Sequence, residues 1–364
     1  MQLENQNILF IVRTMGLGGT ENVVLQLCEI LNGNVNKIVV CSSGGIHEKE
    51  LQEKGITHYT IPDIASKKIP DIFQIYFTLR RIIKTEQITI IHSHHRMAAF
   101  YTELIANKNI LKIANAHNVF HDKKNLTYFA YHNTELIAVG EMVKKNLVDF
   151  FSIPEKQVCV IHNAIKPFDG NIKPIKELQD YRDQGYVLVG NIGRLSEQKG
   201  MIYFIEAAEI IIKSHPKVLF AIVGDGEQKE YLHQTVIHKC LRDNVIFLGY
   251  RKDVQNVMCQ LDFVVLSSLW EGLPLTPIEA FSVGKSVVGT AVDGTPEIIR
   301  NGVDGYLVAP KSSLQLAEKI KFLIENPSTL KKLEQQAQKR YQDEFSFKKL
   351  SSAYLKFYSS LNLR

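Results

Sequence analysis

Short runs of β-branched and aliphatic residues alternate along the chain with longer segments of helical periodicity. The run NILFIV precedes TENVVLQLCEILN, and the run YVLVGNIG precedes MIYFIEAAEIIIKSH. Strand, turn and helix repeated in this order give parallel sheets that are covered by helices on both faces. The sequence therefore predicts an α/β fold with doubly wound parallel sheets, in which ligands bind at the loops that follow the strands.

The length of the chain predicts two domains, because one hydrophobic core rarely serves 364 residues. The stretch KPFDGNIKPIKELQDYRDQG, residues 166–185, is polar and carries two prolines and two glycines, which favours a linker. We therefore predict an N-terminal domain at 1–165, a linker at 166–185 and a C-terminal domain at 186–345. Residues 346–364 are predicted to form a C-terminal helix.

The composition excludes several classes of protein. With 45% hydrophobic and 22% charged residues the chain resembles an ordinary folded protein, and its five cysteines lack C-x-x-C spacing, which fits free thiols in a reducing compartment. The start MQLENQNILFIVRT lacks the features of a signal peptide, and no apolar run reaches the roughly 18 residues that span a bilayer. A cytoplasmic protein is predicted.

The net charge of +5 comes with scattered cations rather than a concentrated stripe, so nucleic-acid binding is not expected. Two basic pairs stand out in the first domain, Lys67 with Lys68 and Arg80 with Arg81. They are consistent with peripheral contact with an anionic membrane, and equally with a solvated helix face.

The stretch SSLWEGLPLTPIEAFSVGKS, residues 267–286, follows an apolar run and holds two spaced glutamates. Thr276 and Pro277 predict the N-cap and first position of a helix, whose free N–H groups favour an anion. Glu279 has two readings, a ligand contact or the partner of Thr276 in a capping box. Glu271 has no local structural task in this pattern, which favours a functional role.

Two further strand ends of the same domain carry candidate ligand contacts. In GNIGRLSEQKG, Arg194 and Lys199 are positioned to converge on phosphate groups, although a lone pair of cations is also common on a surface. In VGDGEQ, Gly224 and Gly226 flank Asp225 in a tight turn. Three such loops in one domain favour an anion site more strongly than any one of them.

The first domain contains a glycine loop, RTMGLGGTE, after its first strand. Glu21 stands where the third glycine of a dinucleotide fingerprint should be, so no nicotinamide or flavin cofactor is expected. A loop that brings N–H groups to a phosphate or sugar remains open.

Histidines follow two other strands of this domain, His92, His94 and His95 in IIHSHHR and His117 in NAHN. No carboxylate or thiol joins them, so a metal site is not expected. The pattern favours a hydrogen-bonding or proton-transferring role, and structural burial for His92.

These motifs together resemble glycosyltransferase family 4, the retaining transferases of the group 1 type. The resemblance spans nearly the whole chain and depends on E-x(7)-E from Glu271 to Glu279, on GRLSEQKG, VGDG, the early GLGG loop and IHNAI. It implies a GT-B fold, with two Rossmann-like doubly wound domains facing across a cleft and a C-terminal helix that packs toward the first domain. It also implies a sugar nucleotide as the donor, UDP- or GDP-linked, and a glycan or lipid-linked acceptor in surface polysaccharide or glycolipid synthesis.

The resemblance implies roles for individual residues. Arg194 and Lys199 would neutralise the departing diphosphate, and Glu279 would bind the ribose hydroxyls. Glu271 would lie beside the transferred sugar, and His117 would hydrogen-bond it. Catalytic roles are implied for Glu271, His117, Arg194 and Lys199. Donor-binding positions are Gly18, Gly19, Arg194, Lys199, Gly224, Tyr250, Arg251, Glu271, Gly272, Leu273, Pro274, Leu275, Thr276 and Glu279.

No D-x-D follows a strand, so catalysis without a divalent metal is expected, and no catalytic nucleophile is assigned. Two alternatives remain at this point. A nucleotide-sugar epimerase of the same architecture would share the phosphate contacts but would need acid and base groups on the sugar. A catalytically silent homologue would bind a sugar nucleotide, or a partner transferase, without turnover.

Overall fold

A computed structural model describes residues 3–16, 18–168 and 170–361, and these form two compact units. The first unit holds the chain up to Asn163 and again from Leu350, and the second runs from Ala164 to Lys349. Residues 166–185, predicted as a linker, belong to the second unit and include the helix Lys176–Asp183. Leu178 of this helix is buried, and Arg182 donates to the carbonyl of Gln260, so tertiary contacts hold a segment whose composition is polar.

The first unit contains a parallel sheet of seven strands among its described residues, in the order β3-β2-β1-β4-β5-β6-β7. The strands are β1 Asn7–Ile11, β2 Lys37–Ser42, β3 Thr57–Thr60, β4 Ile90–Ser93, β5 Leu111–Ala116, β6 Glu135–Ala138 and β7 Val158–Val160. The helices are α1 Gly19–Leu31, α2 Glu48–Glu53, α3 Ile69–Thr85, α4 Arg96–Ile105, α5 Lys124–Tyr131 and α6 Glu141–Lys145, which continues as a π-helical turn over Asn146–Phe150.

The second unit contains a six-stranded parallel sheet within the described part of the chain, in the order β10-β9-β8-β11-β12-β13. Its strands are β8 Val187–Ile192, β9 Val218–Val223, β10 Val245–Gly249, β11 Phe263–Leu266, β12 Val287–Thr290 and β13 Gly305–Val308. Its helices are α7 Lys176–Asp183, α8 Met201–Ile212, α9 Lys229–His238, α10 Val254–Cys259, α11 Leu275–Ser282, α12 Thr295–Ile298, α13 Ser313–Glu325 and α14 Pro327–Arg340.

Both sheets have the strand order of a Rossmann fold, since the order reverses between β1 and β4 in one and between β8 and β11 in the other. Their central strands are buried and mainly apolar, as expected where helices cover both faces, whereas the edge strands β3, β7 and β10 are partly exposed. At each reversal the loops that follow two neighbouring strands diverge and leave room for a ligand. Many of the candidate residues lie at these two places, whereas His117, Gly224, Tyr250 and Arg251 follow the other strands β5, β9 and β10.

The last helix, α15 Phe347–Ser360, belongs to the first unit from Leu350 onward. Tyr358 donates a hydrogen bond to Nδ1 of His92 at 2.6 Å, and Nε2 of His92 donates to Asn115 at 2.7 Å. Burial lowers the pKa of His92 to about 3, which keeps it in the neutral form that this chain of bonds requires. His92 is therefore structural, as its apolar surroundings predict, and positions 362–364 of the predicted helix lie outside the described residues.

None of the helices in the described residues is both long and apolar enough to cross a membrane.

Candidate functional site

The reversal point of the second sheet carries the densest set of predicted residues. The loop after β8 contains Lys199, and the loop after β11 contains Glu271. Nζ of Lys199 donates to Oε1 of Glu271 at 2.6 Å, and the two side chains are only 18% and 6% exposed. Two residues separated by 72 positions in the chain are thus joined by a nearly buried ion pair, where charges interact more strongly than in water.

Hydrogen bonds from side chains to backbone carbonyls hold the two loops together around this ion pair. The hydroxyl of Ser267 donates to the carbonyl of Lys199 at 3.0 Å, and the amide of Gln198 donates to the carbonyl of Trp270 at 3.0 Å. Gly200 has a φ of +55°, and a Cβ there would lie 2.3 Å from the carbonyl oxygen of Ser267. Only glycine fits this turn, so the close approach of the loops depends on it.

Glu271 is held by two further contacts that the sequence did not predict. The hydroxyl of Ser268 donates to Oε1 at 2.6 Å, and the backbone N–H of Glu271 donates to Oδ2 of Asp293 at 2.7 Å. Asp293 lies in the loop after β12 with a φ of +40°, a left-handed conformation that Asp and Asn tolerate better than most residues. Its side chain therefore fixes the backbone from which Glu271 projects.

We expect Asp293→Ala to lower the free energy of unfolding by about 1–2 kcal/mol, because the N–H of Glu271 loses its acceptor and alanine is strained at this φ. The measurement is the thermal midpoint of the purified variant. Asp293→Asn is the matched control, since it keeps an acceptor oxygen and tolerates the conformation. Equal losses in both variants would show that the charge of Asp293, rather than its hydrogen bond, matters.

The helix that carries Glu279 begins earlier than the sequence predicts. Helix α11 begins at Leu275 with Pro274 at the N-cap, so Thr276 lies inside its first turn. The hydroxyl of Thr276 points to the carbonyl oxygen of Ile192 at the end of β8, 3.4 Å away. The prediction of Thr276 as the N-cap is therefore wrong, and the capping-box alternative for Glu279 is excluded, because the hydroxyl of Thr276 contacts the neighbouring strand instead.

The carboxylate of Glu279 makes no hydrogen bond to any of the residues that the structure describes. Burial raises its pKa to about 7, and the nearby charge of Lys199 opposes that rise. Lys199 thus acts on both glutamates of the E-x(7)-E pair, through a hydrogen bond to one and through its field on the other. An acidic group that the protein leaves without a donor is suited to accept hydrogen bonds from a ligand.

The first turn of α11 offers N–H groups beside these side chains. A helix leaves its first N–H groups without intrahelical partners, and its dipole favours an anion there. Residues 272–274 lead into this turn, which begins at Leu275, and the carbonyl of Gly272 accepts from the N–H of Gly294 at 3.0 Å. The segment is thereby fixed against the loop that contains Asp293.

Arg194 lies at the same strand end as Lys199, but its side chain is exposed rather than buried. Its side chain is 72% exposed and pairs with Glu227 at 3.0 Å. Exposed ion pairs of this kind contribute little to stability, so Arg194 can exchange Glu227 for another anion at little cost. Gly224 lies beside it with a φ of +144°, where a Cβ would be 1.9 Å from the carbonyl oxygen of Gly193.

Tyr250 and Arg251 follow β10 at the edge of the second sheet. Tyr250 is nearly half exposed, whereas Arg251 forms a two-pronged ion pair with Asp253 at 2.9 Å and 2.7 Å. The structure therefore leaves the ring of Tyr250 open for contact but engages the guanidinium of Arg251 locally.

In the first unit, Gly18 and Gly19 begin α1 directly after the loop that follows β1. Gly18 is the N-cap, and a Cβ there would meet a carboxylate oxygen of Glu21 at 2.3 Å. The hydroxyl of Thr14 also donates to Glu21, so this hydrogen bond links the loop after β1 to the first turn of α1. Residue 17 of the GLGG motif lies outside the described residues.

His117 and His94 are joined in the first unit. Nδ1 of His94 and Nε2 of His117 are 3.2 Å apart, and burial lowers the pKa of His117 to about 4. Nε2 of His94 is buried and has no hydrogen-bond partner among the described residues. A buried acceptor without a partner is less costly than a buried N–H, so His94 carries its proton on Nδ1 and donates to His117. His117 then carries its own proton on Nδ1, as a hydrogen-bond donor.

No group of three or more His, Cys, Asp or Glu side chains within residues 3–16, 18–168 and 170–361 has an arrangement that could hold a metal ion.

Sequence reasoning missed the residues that support Glu271. Ser268 lies within the quoted stretch, and only its folded position shows that it bonds to Glu271. Asp293 stands in VDGTPE, where the D-G pair signals a turn but not a bond to a residue 22 positions earlier.

Two family models match consecutive parts of the chain. The model described as Glycosyltransferase Family 4 matches residues 17–167, and the model described as Glycosyl transferases group 1 matches residues 176–340. Together they cover most of both units.

Known proteins resemble the chain over most of its length. A UDP-Gal:α-D-GlcNAc-diphosphoundecaprenol α-1,3-galactosyltransferase of Escherichia coli is 27% identical over 326 residues, which cover 80% of this chain and 81% of that protein. A human phosphatidylinositol N-acetylglucosaminyltransferase protein is 26% identical over 301 residues, 78% of this chain but only 61% of that protein. The crystal structure of Anabaena HepE in complex with UDP-glucose has a TM-score of 0.84 and 20% identity, covering 98% of this chain and 100% of that one.

The fold likeness, the homologous transferases and the two family matches agree with the pair of Rossmann-like units. The chain is a glycosyltransferase of family 4 with the GT-B fold.

Proposed function

We propose that this glycosyltransferase moves a sugar, with retention of configuration, from a nucleotide-diphosphate sugar to a glycan or lipid-linked acceptor. We place it in surface polysaccharide or glycolipid synthesis, in the cytoplasm or at the inner face of the membrane. The observation that carries the proposal is the nearly buried ion pair of Lys199 and Glu271 beside the first turn of α11. It brings a cation, a carboxylate and free N–H groups to one strand end.

The leaving group is a nucleoside diphosphate, and its negative charge grows as the sugar departs. We assign Lys199 and Arg194 to neutralise this charge, together with the N–H groups of residues 272–276. Lys199 is held in place by Glu271, and Arg194 is free to leave its exposed partner Glu227. Fixed charges aimed at a developing anion typically lower a barrier by several kcal/mol.

The two glutamates are assigned to hydroxyl groups. The carboxylate of Glu279 has no hydrogen-bond donor within the described part of the chain, which suits it to the two hydroxyls of the ribose. Glu271 is assigned to the transferred sugar, where its negative charge also stabilises the positive charge that builds at the anomeric carbon. Tyr250 is assigned to the base because its ring is open, and Arg251 requires release from Asp253 before it can contribute.

In the proposed reaction the bond between the anomeric carbon and the β-phosphate oxygen breaks, and its electron pair leaves with the diphosphate. A hydroxyl oxygen of the acceptor attacks the same face of the sugar and forms the new glycosidic bond. The proton of that hydroxyl passes to the departing phosphate oxygen. No protein nucleophile is needed, and we expect no divalent metal because the protein supplies cations and N–H donors itself.

Roles in the first unit rest on the family resemblance. We propose that Gly18 and Gly19 allow close approach of backbone to the donor, as does Gly224 of the second unit, and that His117 donates a hydrogen bond to a sugar hydroxyl. The Nδ1 proton inferred for His117 supplies the donor that this role requires.

The relatives' names favour a lipid-linked acceptor. The E. coli enzyme is named for a GlcNAc-diphosphoundecaprenol acceptor, and the human protein for phosphatidylinositol. HepE was crystallised with UDP-glucose, which favours a UDP-linked donor. Both are proposals for this chain.

The proposal predicts that one sugar nucleotide from a panel of UDP-, GDP- and ADP-sugars is hydrolysed slowly without acceptor, at a rate that EDTA leaves unchanged. Release of the nucleoside diphosphate is the measured quantity. Glu271→Ala and Lys199→Ala should both abolish it. The matched control is Lys229→Ala, which removes an exposed lysine from the neighbouring strand end and should leave the rate intact.

Other outcomes distinguish the alternatives. Conversion of the donor to an epimer without release of diphosphate would establish an epimerase. Binding without turnover, even with a polyprenyl-diphosphate sugar as acceptor, would indicate a silent homologue. Loss of activity in EDTA that Mg²⁺ or Mn²⁺ restores would overturn metal-free transfer, and the anomeric configuration of the product by NMR tests retention.

A further inference from the structure

Helix α3 of the first unit exposes a row of large apolar side chains. Ile69 is 68% exposed, Ile72 38%, Phe73 59% and Phe77 62%. Positions 69, 73 and 77 are spaced four residues apart, so they lie along one face of the helix. The rings of Phe73 and Phe77 stack on each other with their centres 6.5 Å apart. We refer to these four residues as the α3 apolar face.

The opposite side of the same helix holds it firmly in the unit. Ile75, Leu79 and Ile82 are buried and belong to the same core cluster as Leu9 of β1 and Val39 of β2. The packing of α3 against the sheet therefore does not depend on the exposed row. Substitutions on the α3 apolar face should leave the fold intact.

Cations stand at both ends of the α3 apolar face. Lys67 and Lys68 precede the helix, and Arg80, Arg81 and Lys84 occupy its last turns. None of these five forms an ion pair with a carboxylate of the described residues. Arg80 instead donates to the hydroxyl of Tyr76 at 3.2 Å, on the same side as the apolar face. Their charge is therefore available to an external anion.

An apolar row with aromatic rings, flanked by cations, matches what binds in the plane of a membrane interface. The rings enter the boundary between headgroups and acyl chains, and the cations meet anionic headgroups. An apolar partner protein would not account for five cations without carboxylate partners around the row. We propose that the α3 apolar face docks the protein onto an anionic bilayer, as a peripheral contact along the length of α3.

The proposal deepens the suggested location at the inner face of a membrane, and it rests on the proposed function only for its biological purpose. Binding to vesicles requires neither donor nor acceptor. A failure of vesicle binding therefore leaves the transferase proposal standing, and a failure of sugar transfer leaves the membrane proposal standing.

The test is co-sedimentation with vesicles of phosphatidylcholine containing 30% phosphatidylglycerol, compared with pure phosphatidylcholine. We expect binding to the anionic vesicles only, weakening as salt is raised because exposed charges are screened. Phe73→Ser with Phe77→Ser should reduce the partition coefficient about tenfold or more. Arg80→Gln with Arg81→Gln and Lys84→Gln should reduce it roughly fivefold for each cation removed.

The matched control is Tyr231→Ser with Ile237→Ser, which removes two exposed apolar side chains from α9 in the second unit. It should bind vesicles like the wild type. Thermal midpoints of all variants check that each remains folded.

Three results would overturn the proposal. The first is absence of binding to anionic vesicles at low salt, and the second is equal binding by the control and the Phe73/Phe77 variant. The third is a concentration-dependent dimer that the Phe73/Phe77 variant abolishes, which would identify a second copy of the chain as the occupant.

Discussion

Replacing Lys199 with methionine should lower kcat/KM for sugar transfer about a thousandfold. Methionine keeps the length and apolar stem of the side chain and removes only the charge. Loss of one fixed donor to a developing anion typically costs 10²- to 10³-fold. Here the substitution also leaves the carboxylate of Glu271, 6% exposed, without its cation, which raises the cost of keeping it charged.

The measurement is steady-state kinetics with the donor identified from the panel. The fall should appear mainly in kcat, because the charge of Lys199 matters most when the diphosphate departs. Lys229→Met is the matched control and should retain wild-type rates. Arg194→Met should fall less than Lys199→Met, since Arg194 is largely exposed and its field is screened. A raised KM with unchanged kcat would show instead that Lys199 binds the donor equally in the ground state and the transition state.

Much of this site was predictable because parallel strands end at the same edge of a sheet. The sequence placed Lys199 and Glu271 in loops after separate buried strands, and the strand order makes β8 and β11 neighbours. Strand and helix patterns do not reveal that order by themselves. The prediction needed the additional rule that ligands bind where the order reverses.

The start of α11 was mispredicted because a tertiary contact replaces the local one that the sequence pattern indicates. Thr276 and Glu279 satisfy the local pattern of a capping box, and a local pattern is all that a linear sequence displays. In the folded unit the hydroxyl of Thr276 finds the carbonyl of Ile192, on a strand 84 residues away in the chain. The tertiary contact replaces the local one, and Glu279 is left without a structural task.

The α3 apolar face could not be read from the sequence for a related reason. The pattern IPDIFQIYFTLRRIIKT predicts a helix, but apolar residues occur around most of it. Burial decides which of them form the core, and burial depends on how the helix packs against the sheet. Only the structure separates Ile75 and Leu79, which are buried, from Phe73 and Phe77, which are not.

Glu279→Gln should change stability and binding in opposite directions. It should stabilise the protein without ligand and weaken its binding of the donor. Burial raises the pKa of Glu279 from an ordinary value of 4.5 to about 7. The folded chain therefore holds this proton more tightly than the unfolded chain does. Its contribution to stability is fully present below pH 4.5 and is lost as the pH rises to about 7.

At pH 8 the wild type therefore carries a partly buried charge on Glu279 that no described residue meets with a hydrogen bond, and the neutral glutamine removes this charge. We expect Glu279→Gln to raise the free energy of unfolding by about 1–2 kcal/mol at pH 8 and to change it little at pH 4.5. Thermal midpoints of wild type and variant across this range measure the difference. A midpoint that falls at every pH would instead indicate a structural role for the carboxylate.

Donor binding should respond in the other direction, because a carboxylate accepts hydrogen bonds from two ribose hydroxyls and a glutamine offers only one acceptor oxygen. We expect the dissociation constant of the nucleoside diphosphate to rise about ten- to a hundredfold, as for loss of hydrogen bonds to a charged group. Wild-type affinity should also weaken as the pH falls below about 7, where Glu279 takes up its proton, while affinity of the variant should not vary with this group. Calorimetric titration at pH 6 and pH 8 measures both effects. Unchanged affinity together with raised stability would remove Glu279 from the donor site. Weaker affinity together with raised stability would mean that the charge of Glu279 is unfavourable for the fold and is kept because the donor requires it.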